Sequence, residues 1–552
     1  MNKKLRIGLL TDNDNIPAWS HKMLERIVNS GNSEIVLIVK NSKTPIKHSS
    51  SFKKLWVNRN HIFWILYTKF ENKLFKPHPN AFANKNIKSV VQCDEIIVQT
   101  SQIENSDYFS SVDIDKIKTY QIDVLINLCY IGLKGDILNV PSCGIWSYCH
   151  SERIINRGGP PGAWEVFKRQ DVTGALLEIL AEKIDGGKIL ARSYSSTEKL
   201  SVNRTNNASY WKALSLLPRK LEQLHSLGKE DFFNKLEQEN SHPEFFDNQP
   251  LGLPKNSEVL STFYKIYSNK IVFTIKNFFY FGQWIMLYKF EDKNDWATSF
   301  HEFKRIVPPK DRFWADPFVM ERNGSYFIFF EELIYKENIG KIAVLEIDSD
   351  GNFEPPKIII DKDYHLSYPF LIEEGSDLYM IPESSGNGTI ELYKCTAFPL
   401  QWQLHKVLMQ DVNAVDTTIL KHNGKYWLFC NITENEGASS LDELFLFYSD
   451  SLLDDDWISH PSNPIVSDVS QSRPAGNIFK NNGKIFRPSQ NSAKGYGHGM
   501  KINEIVELTT KSYKEETIQS IYPNWEKDLI STHTINNCNK LTVTDALIRR
   551  RR

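Results

Sequence analysis

The chain has 552 residues, with 66 Lys and Arg against 67 Asp and Glu, so its formal net charge is −1. At about 150 residues per domain, this length predicts two or more domains. Its content of 41% hydrophobic and 24% charged residues excludes wholesale disorder. The balanced charge argues against general electrostatic attraction to nucleic acid, and no nucleic-acid partner is expected.

The cysteines and the hydropathy pattern indicate a reduced protein without a membrane span. Seven cysteines are scattered without a CxxC pair or metal-ligand spacing, so we predict no metal site and a cytoplasmic location. No window approaches 18 uninterrupted apolar residues. We interpret the most apolar stretch, residues 61–75, as a helix packed on the core, the alternative being a helix lying on a membrane surface.

In the first half of the chain, short apolar runs are separated by helical stretches. The predicted strands are residues 6–10, 34–39, a region formed by 89–91 and 95–98, and residues 124–128 and 175–179. This alternation predicts an α/β fold with a doubly wound parallel sheet, in which ligands bind outside the carboxyl ends of the strands. We assign residues 1–240 to this domain and residues 241–280 to a helical linker.

The second half, residues 281–552, is rich in short aromatic runs that follow tight turns. The turn glycines Gly324, Gly375, Gly424 and Gly483 are 51, 49 and 59 residues apart, and a fifth hairpin is predicted at 535–543. Asn-Gly before alternating apolar residues is typical of a β-hairpin. A period near 50 with several strands per repeat indicates an all-β domain, a five-bladed β-propeller, the alternative being a β-sandwich.

Segment 144–190 carries several spaced motifs: Arg157-Gly158, Thr173-Gly174 and Ile184-Asp185-Gly186-Gly187. With these, residues 5–205 resemble the formyltransferase family that includes methionyl-tRNA, glycinamide ribonucleotide and sugar-nucleotide formyltransferases. The resemblance implies a formyltransferase-like fold and 10-formyltetrahydrofolate as the cofactor. Segment 123–138 resembles the strand and loop that line the family's folate pocket. This implies cofactor-binding roles for Tyr130, Ile131, Leu133 and Asp185.

The same resemblance implies the catalytic residues. In this family a histidine and an asparagine donate hydrogen bonds to a tetrahedral oxyanion, and an aspartate supports the histidine. Asp185 matches the aspartate, whereas Ser147 and Cys149 stand where the Asn-x-His motif has its asparagine and histidine. After a one-residue slip, His150 takes the histidine role, and the hydroxyl of Ser147 or Tyr148 replaces the amide donor. Cys149 as a nucleophile is the alternative, and a site that binds without catalysing is another.

Polar residues recur at matching places in the second half. Asp316 lies in WADPF, Glu383 in MIPES and Asp416 in VDTT, and Arg473 and Gln490 flank the fourth hairpin. Through these motifs and LSYPF, this half resembles the N-terminal propeller of plant glucosamine inositolphosphorylceramide transferases and, more distantly, five-bladed glycosidases of the arabinanase type. The resemblance implies a sugar site. Two carboxylates facing a sugar can hydrolyse it; sugar binding without hydrolysis and a purely structural role are the alternatives.

Together, the two resemblances predict a folate-dependent formyltransferase that acts on an amino sugar in surface glycan biosynthesis. The expected partner is a small sugar or a sugar nucleotide. The alternative is a non-catalytic glycan-binding or scaffold protein with a degenerate formyltransferase site.

Overall fold

The computed structural model describes residues 3–41, 59–103, 106–130, 132–156, 158–183, 186–245, 249–291 and 298–552. It divides into two compact units. The first comprises residues 1–267 with 435–438, and the second comprises residues 268–434 with 439–552. The division lies inside the helix Asn256–Phe279, so helical structure covers only the latter part of the predicted linker.

The strands of the first unit are β1 Leu5–Thr11, β2 Asn15–Pro17, β3 Ser33–Asn41, β4 Asn84–Asn86, β5 Asp94–Val98, β6 Ser101–Ile103, β7 Ser106–Tyr108, β8 Val124–Asn127, β9 Leu133–Lys134, β10 Ile145–Cys149, β11 Val172–Ile179 and β12 Lys188–Ser196. The helices are α1 Ala18–Asn29, α2 Ile62–Leu74, α3 Ser111–Lys118, α4 Ala163–Phe167, α5 Val202–Ala213, α6 Leu216–Leu227, α7 Lys229–Glu239 and α8 Asn256–Phe279.

The first unit is built on a seven-stranded sheet in the order β12-β11-β10-β8-β1-β3-β5. The strands from β10 to β5 are parallel, whereas β11 runs antiparallel to β10 and β12 antiparallel to β11. The predicted strands are confirmed except at 89–91, where a short 3₁₀ helix, Ile87–Ser89, precedes β5. The prediction of a wholly parallel sheet is wrong. Residues 145–149, at the start of the segment that carries the family motifs, form strand β10.

Apolar residues on both faces of this sheet are buried. Along β8, Val124 and Ile126 pack into one hydrophobic cluster with Trp146, while Leu125 packs into the opposite cluster with Ile145. Successive side chains of a strand point to opposite faces, so continuous apolar runs belong to a sheet covered on both sides. This burial fixes the positions of the strand ends that carry the candidate site.

The strands of the second unit are β13 Tyr280–Phe290, β14 Lys304–Ile306, β15 Arg312–Arg322, β16 Ser325–Ile334, β17 Gly340–Ile347, β18 Lys357–Ile360, β19 Ser367–Glu374, β20 Asp377–Ser384, β21 Thr389–Ala397, β22 Gln401–Met409, β23 Ala414–His422, β24 Lys425–Ile432, β25 Leu444–Ser449, β26 Ile458–Ser459, β27 Phe479–Asn481, β28 Lys484–Asn491, β29 Gly499–Leu508, β30 Tyr513–Ile521, β31 Leu529–Ser531, β32 Ile535–Cys538 and β33 Leu541–Arg551.

These strands form five antiparallel sheets within the described residues. Sheet 1 contains β13, β14 and β31–β33, and sheets 2 to 5 contain β15–β18, β19–β22, β23–β26 and β27–β30. In sheet 1, β13 pairs with β33 along the full length of both strands, from Tyr280 opposite Arg551 to Phe290 opposite Leu541. The beginning and the end of the second unit are therefore joined in one sheet.

The predicted hairpins are confirmed. Asn323-Gly324 joins β15 to β16, and both residues have positive φ angles of 55° and 83°. Asn423-Gly424 and Asn482-Gly483 join β23 to β24 and β27 to β28 in the same conformation. A two-residue turn of type I′ requires positive φ at both positions, which asparagine and glycine tolerate best.

The packing of the second unit predicts a difference between two leucines. Leu428 in β24 is fully buried in a cluster with Phe318 and Ile381, whereas Leu404 in β22 is 48% exposed. We expect Leu428→Ala to lower the free energy of unfolding by about 2–5 kcal/mol, because it leaves a cavity. The matched change Leu404→Ala should lower the free energy of unfolding by less than about 1 kcal/mol. Urea unfolding measures both, and equal losses would contradict this packing.

Candidate functional site

The structure describes part of the predicted formyltransferase site. Ser147 and Cys149 lie in strand β10, and His150 follows the strand directly. Asp185, Ile131 and Arg157 lie outside the described residues. The pairing of His150 with Asp185 therefore stays a prediction.

His150 lies in a cluster of aromatic rings. Its ring stacks on Tyr210 with 3.4 Å between the centroids and on Tyr148 with 5.6 Å, and Trp19 meets it edge-on. Both ring nitrogens are buried and have no hydrogen-bond partner among the described residues. Burial lowers the pKa of His150 to about 3. At neutral pH the imidazole is thus uncharged; it can donate one N–H hydrogen bond, but it is a poor general base.

The polar groups around β10 already have partners. The Asn127 amide nitrogen at the end of β8 donates to Ser147 Oγ at 3.1 Å and to the Tyr130 carbonyl oxygen at 2.7 Å. The Tyr148 hydroxyl donates to the Leu214 carbonyl oxygen at 3.1 Å and accepts from the Leu217 N–H, so it ties β10 to helices α5 and α6. The Asn127 amide thus contacts Ser147, and the sequence motif did not single out Asn127.

The predicted folate-contacting residues that the structure describes are buried. Tyr130 and Leu133 both belong to the hydrophobic cluster beneath β8 and β10. Among the described groups predicted for this site, both ring nitrogens of His150 are buried without a hydrogen-bond partner. The fit to a folate therefore depends on His150 and on residues beyond the described ones.

In the second unit, one residue near the start of the first strand of sheets 2, 3 and 4 has a left-handed backbone. These residues are Asp316, Tyr368 and Asp416, with φ of 53°, 44° and 53°. Each lies at a break in strand register, where a β-bulge interrupts the pairing. Bulges re-aim side chains and are common beside functional sites. Here they place two of the predicted carboxylates at equivalent positions.

Four of the five predicted sugar-site residues are directly bonded to one another. Arg473 donates to both carboxylate oxygens of Asp416, from Nε at 2.5 Å and from Nη2 at 3.1 Å, and Nη2 lies 3.4 Å from Glu383 Oε2. The Gln490 amide donates to Asp416 Oδ2 at 2.8 Å. The contact between Arg473 and Asp416 is bidentate, which is a strong geometry for arginine and carboxylate. Through these bonds, sheets 3 and 4 meet sheet 5 and the chain before it.

The fifth predicted residue, Asp316, belongs to a second group of side chains. His533 Nδ1 lies 2.6 Å from Asp545 Oδ2 and 3.8 Å from Asp316 Oδ1, and the Thr534 hydroxyl donates to Asp316 Oδ1 at 2.7 Å. Tyr496 joins this group to the first, because its ring contacts both His533 and the Arg473 guanidinium. Asp316, Glu383, Asp416, Arg473, Gln490, Tyr496, His533 and Asp545 are hereafter the polar cluster.

The charges in the polar cluster depend on one another. Burial raises the pKa of Asp416 to about 6; Arg473 opposes this shift and Glu383 adds to it. Burial likewise raises the pKa of Asp316 to about 6, against the charge of His533. Burial alone would lower the pKa of His533, but Asp545 and Asp316 raise it to about 9. His533 is therefore cationic at neutral pH.

Asp316, His533 and Asp545 also lie close enough to reach a single metal ion, with ligand atoms within 4.8 Å of one another. A metal would have to displace the proton that the two carboxylates hold on the imidazole, because only a neutral histidine ligates. The three residues already satisfy one another as an imidazolium with two carboxylates.

A second pair lies beside the cluster and is more open to solvent. His365 Nε2 is 3.1 Å from Glu331 Oε1, and the His365 side chain is 41% exposed. Tyr496 is 44% exposed, and Trp284 stacks on His533 with 4.1 Å between the centroids. None of these residues stands in a motif that the sequence singled out. The repeat period pointed to Asp316 and Asp416, whereas His533 and Asp545 come from the irregular last hairpin.

Residues 305–537 match the family described as glucosamine inositolphosphorylceramide transferase 1, N-terminal. The rice protein of that name (Oryza sativa subsp. japonica) is 36% identical over 206 residues, which are 37% of this chain and 27% of the relative. The chain thus spans about a quarter of the length of the relatives it matches there.

Two further similarities concern separate parts of the chain. The methionyl-tRNA formyltransferase of Prochlorococcus marinus is 26% identical over 178 residues, 32% of this chain and 51% of that protein. Among solved structures, the family 117 glycoside hydrolase Zg3597 of Zobellia galactanivorans covers 49% of this chain and 90% of its own, with 11% identity and a TM-score of 0.32.

The raised pKa of His533 predicts a pH-dependent stability. The pKa of His533 is about 9 in the folded protein and 6.5 in the unfolded chain. Protonated His533 therefore stabilises the fold fully below pH 6.5, and this contribution is lost as the pH rises through 9. We expect His533→Gln to lower the urea midpoint most at pH 6, and the difference from the parent protein to shrink by pH 10. His301→Gln, at an exposed position, is the control. A constant difference across this range would contradict the assigned charge.

Proposed function

We propose that the second unit binds an amino sugar at the polar cluster and that the protein acts in glycan biosynthesis. The observation that carries this proposal is the cluster itself: hydrogen-bonding groups from all five sheets, and Arg473 from the chain before sheet 5, are gathered in one place. Its support from relatives is the match of residues 305–537 to a family whose name contains glucosamine, an amino sugar.

We further propose that the five sheets are the blades of a β-propeller. Contacts between neighbouring sheets support this arrangement. Strand β15 contacts β33 and β19, and β19 contacts β23. Arg473 then links sheet 4 to the chain that enters sheet 5, and the Asn477 N–H donates to Asn536 Oδ1 of sheet 1 at 2.8 Å. Successive contacts from sheet 1 back to sheet 1 are what a closed ring of blades requires.

The charges of the cluster favour a ligand that carries an amine. With Glu331 and His365, the region holds five carboxylates but three basic side chains, Arg473, His365 and His533. An ammonium group compensates an excess of buried carboxylate, and sugar hydroxyls pair with the remaining acceptors. The partly exposed ring of Tyr496 offers an aromatic surface to a sugar.

The hydrogen bonds favour binding over hydrolysis. A hydrolytic nucleophile or base needs an oxygen that can reach the substrate or a water. Asp416 uses both oxygens for Arg473, and Oδ2 also accepts from Gln490. Asp545 likewise accepts from the backbone N–H groups of Asp316, His533 and Thr534. These two carboxylates are positioned to hold the cluster together.

Asp316→Asn tests the sugar site with little change in shape. Asparagine tolerates the left-handed backbone at this position and removes only the charge. We expect the affinity for D-glucosamine, measured by calorimetry, to fall about tenfold, since a charged hydrogen bond is replaced by a neutral one. In the parent protein, binding should strengthen as the pH rises through about 6, where both Asp316 and Asp416 ionise. The dependence should be weaker in the variant, which keeps only Asp416.

Asp411→Asn is the matched control, because Asp411 also has a left-handed backbone but is exposed. The proposal is wrong if D-glucose binds as tightly as D-glucosamine, or if Asp316→Asn behaves like the control.

We propose N-formyl transfer onto the amine of such a sugar as a second function, performed by the first unit. Its support is the motif spacing of segment 144–190, the 26% identity to methionyl-tRNA formyltransferase and the unpaired imidazole of His150. 10-Formyltetrahydrofolate is the cofactor that this proposal requires, and it supplies the formyl group. His150, as a neutral N–H donor, is the residue we assign to this site.

The second function predicts that the full chain binds 5-formyltetrahydrofolate, a stable analogue, in calorimetry. His150→Ala should lower kcat for formylation of D-glucosamine by about 10²-fold, because it removes a hydrogen-bond donor to the oxyanion. The exposed control His78→Ala should match the parent. Formylation is followed by the mass gain of the sugar. No binding at millimolar analogue would remove this function and leave the sugar site as the sole proposal.

A further inference from the structure

Helix α2 exposes most of its apolar residues instead of burying them. Only Trp64, Tyr67 and Glu71 of this helix are buried. The prediction that residues 61–75 form a helix packed on the core is therefore confirmed only for the side of the helix that carries these three residues. The residues left exposed include Phe63, Ile65, Leu66, Phe70 and Leu74.

Helix α8 carries a second apolar stripe. The residues Leu260, Tyr264, Tyr267, Ile271, Ile275 and Phe278 follow at intervals of four and three, which places them on one side of a helix. All of them except Tyr267 are between 54% and 75% exposed. A different side of the helix, formed by Val259, Thr262 and Ile266, is the buried one. The exposed stripe is therefore not the face that attaches the helix to the protein.

Within the first unit, the two helices form a shallow apolar groove of about 280 Å³. Phe63, Leu66 and Phe70 of α2 face Leu260 and Phe263 of α8 across it, and the Phe70 and Phe263 rings lie 6.1 Å apart. We call this groove together with the α8 stripe the helix surface. Soluble proteins rarely leave an apolar surface of this extent uncovered.

The charges beside the helix surface are mostly positive. Helices α2 and α8 contain five lysines, Lys69, Lys73, Lys265, Lys270 and Lys276, against two glutamates. Glu71 is buried and accepts from the Ser201 hydroxyl and the Asn203 N–H. Glu258 accepts from the Lys255 N–H at the start of α8. Even with both carboxylates counted as charged, the two helices carry three more positive than negative side chains.

We propose that the helix surface binds the surface of a lipid bilayer that contains anionic headgroups. Aromatic and aliphatic side chains on one side of a helix, flanked by lysines, are the pattern by which helices lie in the interface plane of a membrane. Lysines near an anionic leaflet are attracted to its headgroups and strengthen such binding. No helix in the described part of the chain is long and apolar enough to cross a membrane, and this mode of binding requires no crossing.

The length and charge of the stripe favour a bilayer over a protein partner. From Leu260 to Phe278 the stripe extends about 27 Å along the helix, at about 1.5 Å per residue. A bilayer covers an extended, nearly straight stripe without a matching shape. In a dimer formed through this surface, the five lysines of one copy would face the same positively charged surface of the other. Like charges across an interface are unfavourable.

The test is flotation of the full chain with vesicles of phosphatidylcholine, with or without about 30% phosphatidylserine. We expect binding to the anionic vesicles and at least a tenfold weaker binding to pure phosphatidylcholine, since attraction to anionic lipid is electrostatic. Raising the salt concentration from 0.1 M to 0.5 M should weaken binding to the anionic vesicles, because it shortens the screening length. Ile271→Gln/Ile275→Gln/Phe278→Gln should lower binding at least tenfold, because it removes apolar area.

The control is Val112→Gln/Ile458→Gln/Ile518→Gln, which changes three apolar residues that are exposed on other elements. Circular dichroism and the urea midpoint show whether each triple variant folds. Lys270→Glu/Lys276→Glu retains the apolar stripe and should also lose binding to anionic vesicles. The proposal is overturned if the parent does not float with anionic vesicles at millimolar lipid, or if the helix variants and the control bind equally. It is equally overturned if the parent dimerises without lipid and the helix variants abolish the dimer, which would assign the surface to a second copy.

Discussion

The ion pair between Arg473 and Asp416 determines the charge balance of the second unit's polar cluster. Both side chains are buried. A buried charge without a partner costs several kcal/mol. Arg473 comes from the chain before sheet 5, Asp416 from sheet 4 and Glu383 from sheet 3. The contact therefore fixes three sheets relative to one another. It also leaves Asp316, on sheet 2, with His533 as its cationic neighbour.

The backbone conformation explains how the carboxylates of Asp316 and Asp416 reach the polar cluster. Asp316 and Asp416 lie at bulges where the chain takes a left-handed conformation, and aspartate is among the few residues that adopt it readily. A regular strand would alternate these side chains between its two faces. The bulge instead breaks the alternation once in each of three successive sheets, at a spacing that the sequence repeat already displayed. Tyr368 occupies the third such position, and its hydroxyl bonds to Thr418 and Gly476.

Much of the fold was predictable because its signals are local. Turns such as Asn323-Gly324 and the apolar run of β8 report their own conformation, and both appear as predicted. The direction of β11 was not predictable, because strand pairing depends on distant residues. For the same reason the repeat located Asp316 and Asp416 but not His533 and Asp545. Asp545 is held opposite Met286 by the long-range pairing of β13 with β33, and His533 bonds to Asp545. His150 illustrates a third limit: its low pKa arises from Trp19 and Tyr210, which are far from it in sequence.

The pairing of β13 with β33 has a consequence for how the protein is made. Strand β13 ends at Phe290, whereas β33 begins at Leu541 and lies between β13 and β31 in the sheet. During synthesis, β13 leaves the ribosome long before the strand that completes its hydrogen bonds. In that interval one edge of sheet 1 presents unpaired N–H and C=O groups, and such an edge invites pairing with other chains. Sheet 1 is therefore where a nascent chain of this protein has most need of a chaperone.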